Sequence, residues 1–419
     1  MRAAPPEGAC SAEVRDRIAA WEPRIGAFVT FDETAFAQLD TATGPLSGIA
    51  VGVKDVLDVA GLPTRNGSRA CDDAPAAHQD APVVGALRRA GAAILGKTVT
   101  TEFAFIDPTD CRNPHDVART PGGSSSGSGA AVGAGVLDLA VGTQTAGSLC
   151  RPAAYCGAVG LKPGLGVLST EGMTPLAPSF DAPGFIARDV STAAMAFGAC
   201  TGLAPLTDAL GRLRLARAPI DPDAPMSDPA LGALDEAARA LAEFGTMAGA
   251  RHTEQSFLAI VADHRTVMLA EAAVAHGCLL DTAPCQLRPL FAAALAEGRA
   301  LPPTEVAAAR TRLAAARAAF WDEMSGIDLL LAPPVPDGAP RLNEGTGYQN
   351  LLTPWTVFAG PLLVLPWGLD ALGRPRSIML AAAPGREALV LAVAAQLEPL
   401  SPALARPAPP VAGLARQRV

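Results

Sequence analysis

Residues 120–148 read TPGGSSSGSGAAVGAGVLDLAVGTQTAGS. The first part is rich in Pro, Gly and Ser and has no hydrophobic period, so it closes a loop over 107–129. A small-residue helix is expected to begin over 130–135. Residues 137–141 read as a short strand, and 142–148 read as the turn that follows it.

The same alternation continues on both sides. Residues 49–53 are apolar and end in Lys54-Asp55, as a buried strand would; 83–90 reads as helix and 92–95 as strand between Gly91 and Gly96. Upstream, 11–40 reads as helical with a break at Trp21-Glu22-Pro23. Downstream, 229–244, 258–276 and 303–323 have helical spacing, the last opened by Pro302-Pro303. Residues 327–332 and 362–365 read as strands and 387–398 as a final helix. Strands alternating with helices predict an α/β fold, a single large layered domain with a central mixed β-sheet covered by helices on both faces. The domain is expected to span 1–400, with its core over about 45–195. A Pro-, Ala- and Arg-rich tail, 401–419, is expected to fray.

Composition narrows the function. The chain has 49% hydrophobic and 18% charged residues and a net charge of −8. That composition suits a core-rich folded protein and lacks the basic footprint of a nucleic-acid binder. The arginines over 299–317 read as a solvated face. No two of the eight cysteines have C-x-x-C spacing and the five histidines do not cluster with them, so no metal and no cofactor are expected. Scattered cysteines and the lack of a signal-peptide pattern suggest a cytoplasmic protein. The uncharged run 345–369 raises a membrane question, but Pro354, Pro361 and Pro366 favour buried strands and loops.

Two motifs mislead. Gly91-Ala-Ala-Ile-Leu-Gly96-Lys97-Thr98 satisfies a phosphate-loop pattern, the alternative being a nucleotide-binding protein. Ala-Ala-Ile-Leu favours a strand, whose amides are engaged by its neighbours and cannot cradle an anion. Gly123-Ser-Ser-Ser-Gly127 satisfies G-x-S-x-G with Ser125 central, but no strand precedes it. The downstream histidines 252, 264 and 276 lie in or near helices, where a surface role is expected.

Three further stretches gain meaning together: Gly52-Val-Lys54-Asp55, Gly122-Gly-Ser124-Ser125 and Thr143-Gln-Thr-Ala-Gly147-Ser148. With 52–68, 80–105, 120–163, 179–188 (SFDAPGFIAR) and 328–334 (DLLLAPP), they resemble the amidase signature family. That resemblance implies a serine–cis-serine–lysine triad: Ser148 as nucleophile, Ser124 as the cis serine that relays the proton, and Lys54 as base. Ser125 would be the neighbouring serine that helps hold the lysine. Lysine serves as base only when neutral, and burial lowers its reference pKa of about 10.4. Backbone N–H groups of Thr145, Ala146, Gly147 and Ser148 are the expected oxyanion donors.

This chain departs from the family's G-T-D-T-G-G-S-I-R-x-P-A. Gln144 replaces an acid, Ala146 replaces a glycine, and the arginine comes one position later, at Arg151. Ala146 argues against a positive φ there. Arg151 is either a clamp for a substrate carboxylate or a structural ion pair, the latter preferred. The expected partner is a small-molecule amide, with no nucleic acid and no membrane, and a homodimer is left open. An A-type subunit of a glutamine-dependent aminoacyl-tRNA amidotransferase is the main alternative, and a non-enzymatic family member a further one. Substrate contacts are expected from 170–185, 255–345 and 345–360.

Overall fold

The computed structural model describes residues 10–203, 211–249 and 251–408. Eleven strands form one sheet: β1 Phe28–Phe31, β2 Ala50–Lys54, β3 Ala93–Thr98, β4 Leu139–Gln144, β5 Val159–Lys162, β6 Ala182–Ala187, β7 Leu213–Arg217, β8 Gly245–Met247, β9 Leu329–Ala332, β10 Leu362–Leu369 and β11 Pro375–Ala381. Their spatial order is β1-β3-β2-β4-β6-β5-β10-β11-β9-β7-β8. β2 runs parallel to β3 and β4, and β7 runs parallel to β8 and β9. The remaining neighbours are antiparallel, so the sheet is mixed. Every residue of β2 to β6 and of β9 is buried. Such strands need cover on both faces, which the thirteen α-helices among the described residues provide. The fold is the single α/β domain that the alternation implied.

The N-terminal reading needs correction. The helix Ser11–Ile25 runs through Pro23 and ends where Gly26 takes φ 56° and its N–H donates to the Glu22 carbonyl. Pro23 lies in the last turn, too late to break the helix. The strand β1 then pairs with β3, an element hidden in the sequence because four residues carry no measurable period. Gly96 serves this pairing. Its φ is +150°, and a Cβ there would stand 2.1 Å from the Thr30 carbonyl oxygen. The phosphate-loop pattern is therefore a strand with a close neighbour.

The small-residue helix starts four residues earlier than expected, as Ser126–Gly133. Ser and Gly are weak helix formers, so tertiary packing supplies the stability. A Cβ on Gly127 would lie 2.1 Å from the Ala27 carbonyl oxygen, and one on Gly133 would lie 2.4 Å from that of Cys156. Only glycines let this helix sit so close to the chain around it and to the helix Cys150–Cys156. The run 345–369 resolves into the helix Thr353–Phe358 and β10. No helix among the described residues is long and apolar enough to cross a membrane. After Ser401 the described chain has no helix or strand, and Leu404 rests against Gly157; 409–419 lie outside the described residues.

Candidate active site

β2 and β4 are parallel neighbours with Val53 opposite Val141, so their carboxyl ends finish side by side. Ligand sites in α/β sheets sit beyond such ends. Here Lys54 closes β2, and residues 145–148 follow β4. The Lys54 ammonium is fully buried and donates to Ser124 Oγ and to Thr143 Oγ1, each at 2.7 Å. Burial pulls its pKa down to about 7; Asp181 opposes that shift and Arg151 adds to it. The buried Arg151 guanidinium is thus a positive charge that helps burial to disfavour the ammonium form.

The peptide between Gly123 and Ser124 is cis. Ser125 N donates to the Ser148 carbonyl at 3.1 Å, which ties the two serine stretches together through the backbone. Ser148 is 8% exposed, the most accessible of the three candidate side chains. The hydrogen-bonded chain runs from Thr143 through Lys54 to Ser124; among the described residues no bond joins the Ser124 and Ser148 hydroxyls. The Ser125 hydroxyl does not reach the lysine. It bonds the backbone carbonyl and amide of Thr143, each at 3.3 Å, and so places the threonine hydroxyl that does.

The turn 145–148 is held from outside. The Thr145 carbonyl accepts from His264 Nε2 at 2.8 Å, that of Ala146 from Thr356 Oγ1 at 2.6 Å, and that of Gly147 from Arg151 N at 3.0 Å. In a trans peptide the N–H points away from the C=O. Each of the amides of Ala146, Gly147 and Ser148 therefore points away from the group that holds the preceding carbonyl. Together with the Thr145 amide, they donate to no acceptor among the described residues. Buried amides without partners are rare, and four in succession amount to a donor array. Neither Ala146 nor Gly147 has a positive φ.

Arg151 is buried and does not make the preferred structural ion pair. Its Nη2 and Nε donate to the Gly123 carbonyl at 2.6 and 3.2 Å, and its Nη1 to that of Gly347 at 3.0 Å. No carboxylate pairs with it among the described residues, so its hold on the protein is through carbonyls and not through an ion pair. Gln144 Oε1 accepts from Leu149 N and Cys150 N, which caps the helix after Ser148.

Sequence reasoning missed Thr143, Asp181, His264 and Thr356 as parts of the site. Asp181 is buried, accepts from the Thr145 hydroxyl and from the amides of Leu176 and Ala177, and burial raises its pKa. His264, expected at the surface, is 2% exposed and packs against Phe180 with the rings tilted by 36°, and its pKa is pulled down to about 4 by burial. His276 is also buried, against Phe103 and the Pro175 carbonyl, while His252 is exposed. The clue to His264 was its spacing: Ile260, His264, Val267 and Glu271 share one buried face of the helix Phe257–His276. Thr356 gave no signal, lying in an uncharged run 210 residues beyond its partner Ala146.

The chain is similar over most of its length to known amide-cleaving proteins. The chain is 32% identical over 388 residues to the AtzE subunit of 1-carboxybiuret hydrolase from Pseudomonas sp. (strain ADP), covering 83% of this chain and 82% of that one. It is 41% identical over 203 residues to the A-type subunit of glutamyl-tRNA(Gln) amidotransferase from Symbiobacterium thermophilum, covering 44% and 41% respectively. Among solved structures, 6-aminohexanoate cyclic dimer hydrolase superposes with a TM-score of 0.84 at 27% identity, over 95% of this chain and 94% of that one. The peptide amidase of Stenotrophomonas maltophilia gives 0.78 at 25% identity over the same shares. The Amidase family model matches residues 12–391, and the chain belongs to that family.

Proposed function

We propose that this protein hydrolyses a carboxamide C–N bond through an acyl-enzyme on Ser148. The observation that carries this reading is the pairing of a buried, readily deprotonated Lys54 on Ser124 with the free amides of 145–148. Neutral Lys54 takes the Ser124 proton as Ser124 takes that of Ser148, and Ser148 Oγ attacks the carbonyl carbon. The amides of Thr145, Ala146, Gly147 and Ser148 stabilise the oxyanion. The proton returns through the same chain to the leaving nitrogen, the C–N bond breaks, and water then cleaves the ester to release the acid. Hydrolysis is favoured over amide transfer because the match to a hydrolase component runs over 388 residues and that to the amidotransferase component over 203.

The test is ammonia or amine release from a panel of aliphatic, aromatic, dicarboxylic, biuret-type and cyclic amides. Ser148→Ala and Lys54→Ala are expected to abolish turnover of whichever amide is cleaved, with the melting temperature kept. Turnover retained in Ser148→Ala, or none with any member for the native chain, overturns the reading.

A further inference from the structure

We infer that Gln144 and Thr356 form a proton-ordering pair that aims the Gly147 amide at the reacting oxygen, a positioning role that rests on the proposed nucleophile. Gln144 Oε1 faces two donors, the amides of Leu149 at 3.2 Å and Cys150 at 3.0 Å. Those groups can only donate, so the amide orientation is fixed and Nε2 points the other way. There it donates to Thr356 Oγ1 at 3.1 Å. The threonine oxygen is then an acceptor on that side, and its own proton must go elsewhere. The Ala146 carbonyl lies at 2.6 Å and the Leu352 carbonyl at 3.5 Å, so the shorter bond takes it.

That bond draws the Ala146 carbonyl outward. The Gly147 N–H belongs to the same peptide plane and points inward. A Cβ on Gly147 would stand 2.9 Å from Leu352 Cδ1 and 3.0 Å from its Cβ, so a larger residue there would push Leu352 aside. A carboxylate at 144, as in the family's pattern, has no proton to give. Thr356 would then be free to donate to it, and the Ala146 carbonyl would lose its donor. Gln144 and Thr356 therefore belong together in this chain, and neither is expected to do its work without the other.

A fluorophosphonate probe tests the pair without knowledge of the substrate. Ser148 Oγ displaces fluoride from phosphorus, and the phosphoryl oxygen occupies the oxyanion position. Thr356→Val is expected to lower the labelling rate of the full chain by about 10- to 100-fold, short of or equal to losing a donor outright. Thr356→Ser should recover most of that loss. Gln144→Glu keeps the acceptor for Leu149 and Cys150 but removes the donor. It should lower the rate on the high-pH plateau, and Gln144→Glu with Thr356→Val should fall by less than the product of the single losses. A native rate in Thr356→Val, a Thr356→Ser loss as large as that of valine, or losses that multiply would overturn the pair. If Thr356→Val does not fold, an unchanged plateau rate in Gln144→Glu overturns it alone. Labelling of Ser148→Ala at the native rate would instead remove the nucleophile and the pair with it.

Discussion

Lys54 shows how one side chain is made into a base by what surrounds it. Its stem continues the apolar β2 strand, and among the described residues its nitrogen bonds two hydroxyls, those of Ser124 and Thr143. Burial removes water from the ammonium and is the largest cause of the fall to about 7. The base is competent when deprotonated, so labelling of Ser148 should rise with pH through an inflection near that value. Asp181 favours the ammonium form. Asp181→Asn removes that support, so the inflection should move to lower pH; a pH–rate profile with an unmoved or raised inflection would contradict the assignment. Lys54 and Ser124 were legible because each ends or opens a stretch of distinctive composition. Asp181 and His264 were not, because their roles depend on which backbone groups lie opposite them.

At the scale of elements, β2 and β3 are locked by a buried charge pair. Lys97 Nζ lies 2.8 Å from Asp55, the residue after the proposed base, and both side chains are buried. Lys97 also donates to Thr64 Oγ1 at 3.0 Å. Lys97→Met would leave the Asp55 carboxylate buried without its cation, a loss of about 3–5 kcal/mol. Chemical denaturation should show that loss, and calorimetry should show no nucleotide binding before or after the change. The pairing explains why a phosphate-loop pattern appears in a strand: Gly96 admits β1, and Lys97 reaches across to Asp55. The helix Ser126–Gly133 makes the complementary point. Its first four residues, 126–129, predict a loop, and they join the helix because glycines 127, 129 and 133 allow contact too close for any side chain.

Over the whole molecule, the site lies among strands protected on both sides. β4, β6, β5 and β10 occupy the middle of the sheet, while β1 and β8 are its edges. Amide hydrogen exchange should be slowest in the central strands and fastest at β8, a three-residue strand with one paired neighbour. Exchange at β4 as fast as at β8 would contradict this order. The long-range ties follow the same plan. His264, Thr356 and Gly347 come from well beyond the signature stretch and converge on the turn 145–148 and on Arg151. The C-terminal half therefore braces the turn that the N-terminal half supplies.

By itself the sequence determined the layered α/β class, the positions of most long helices and the three stretches that carry the candidate triad. Those features depend on hydrophobic period and on local Gly, Ser and Lys chemistry, which neighbours along the chain reveal. Tertiary structure alone decided that Ser125 holds Thr143, that Arg151 holds carbonyls, and that the Thr145 carbonyl belongs to His264. Each is a contact between a side chain and a distant backbone group. A backbone carbonyl looks the same at every residue, so no amino-acid pattern announces which one will be met.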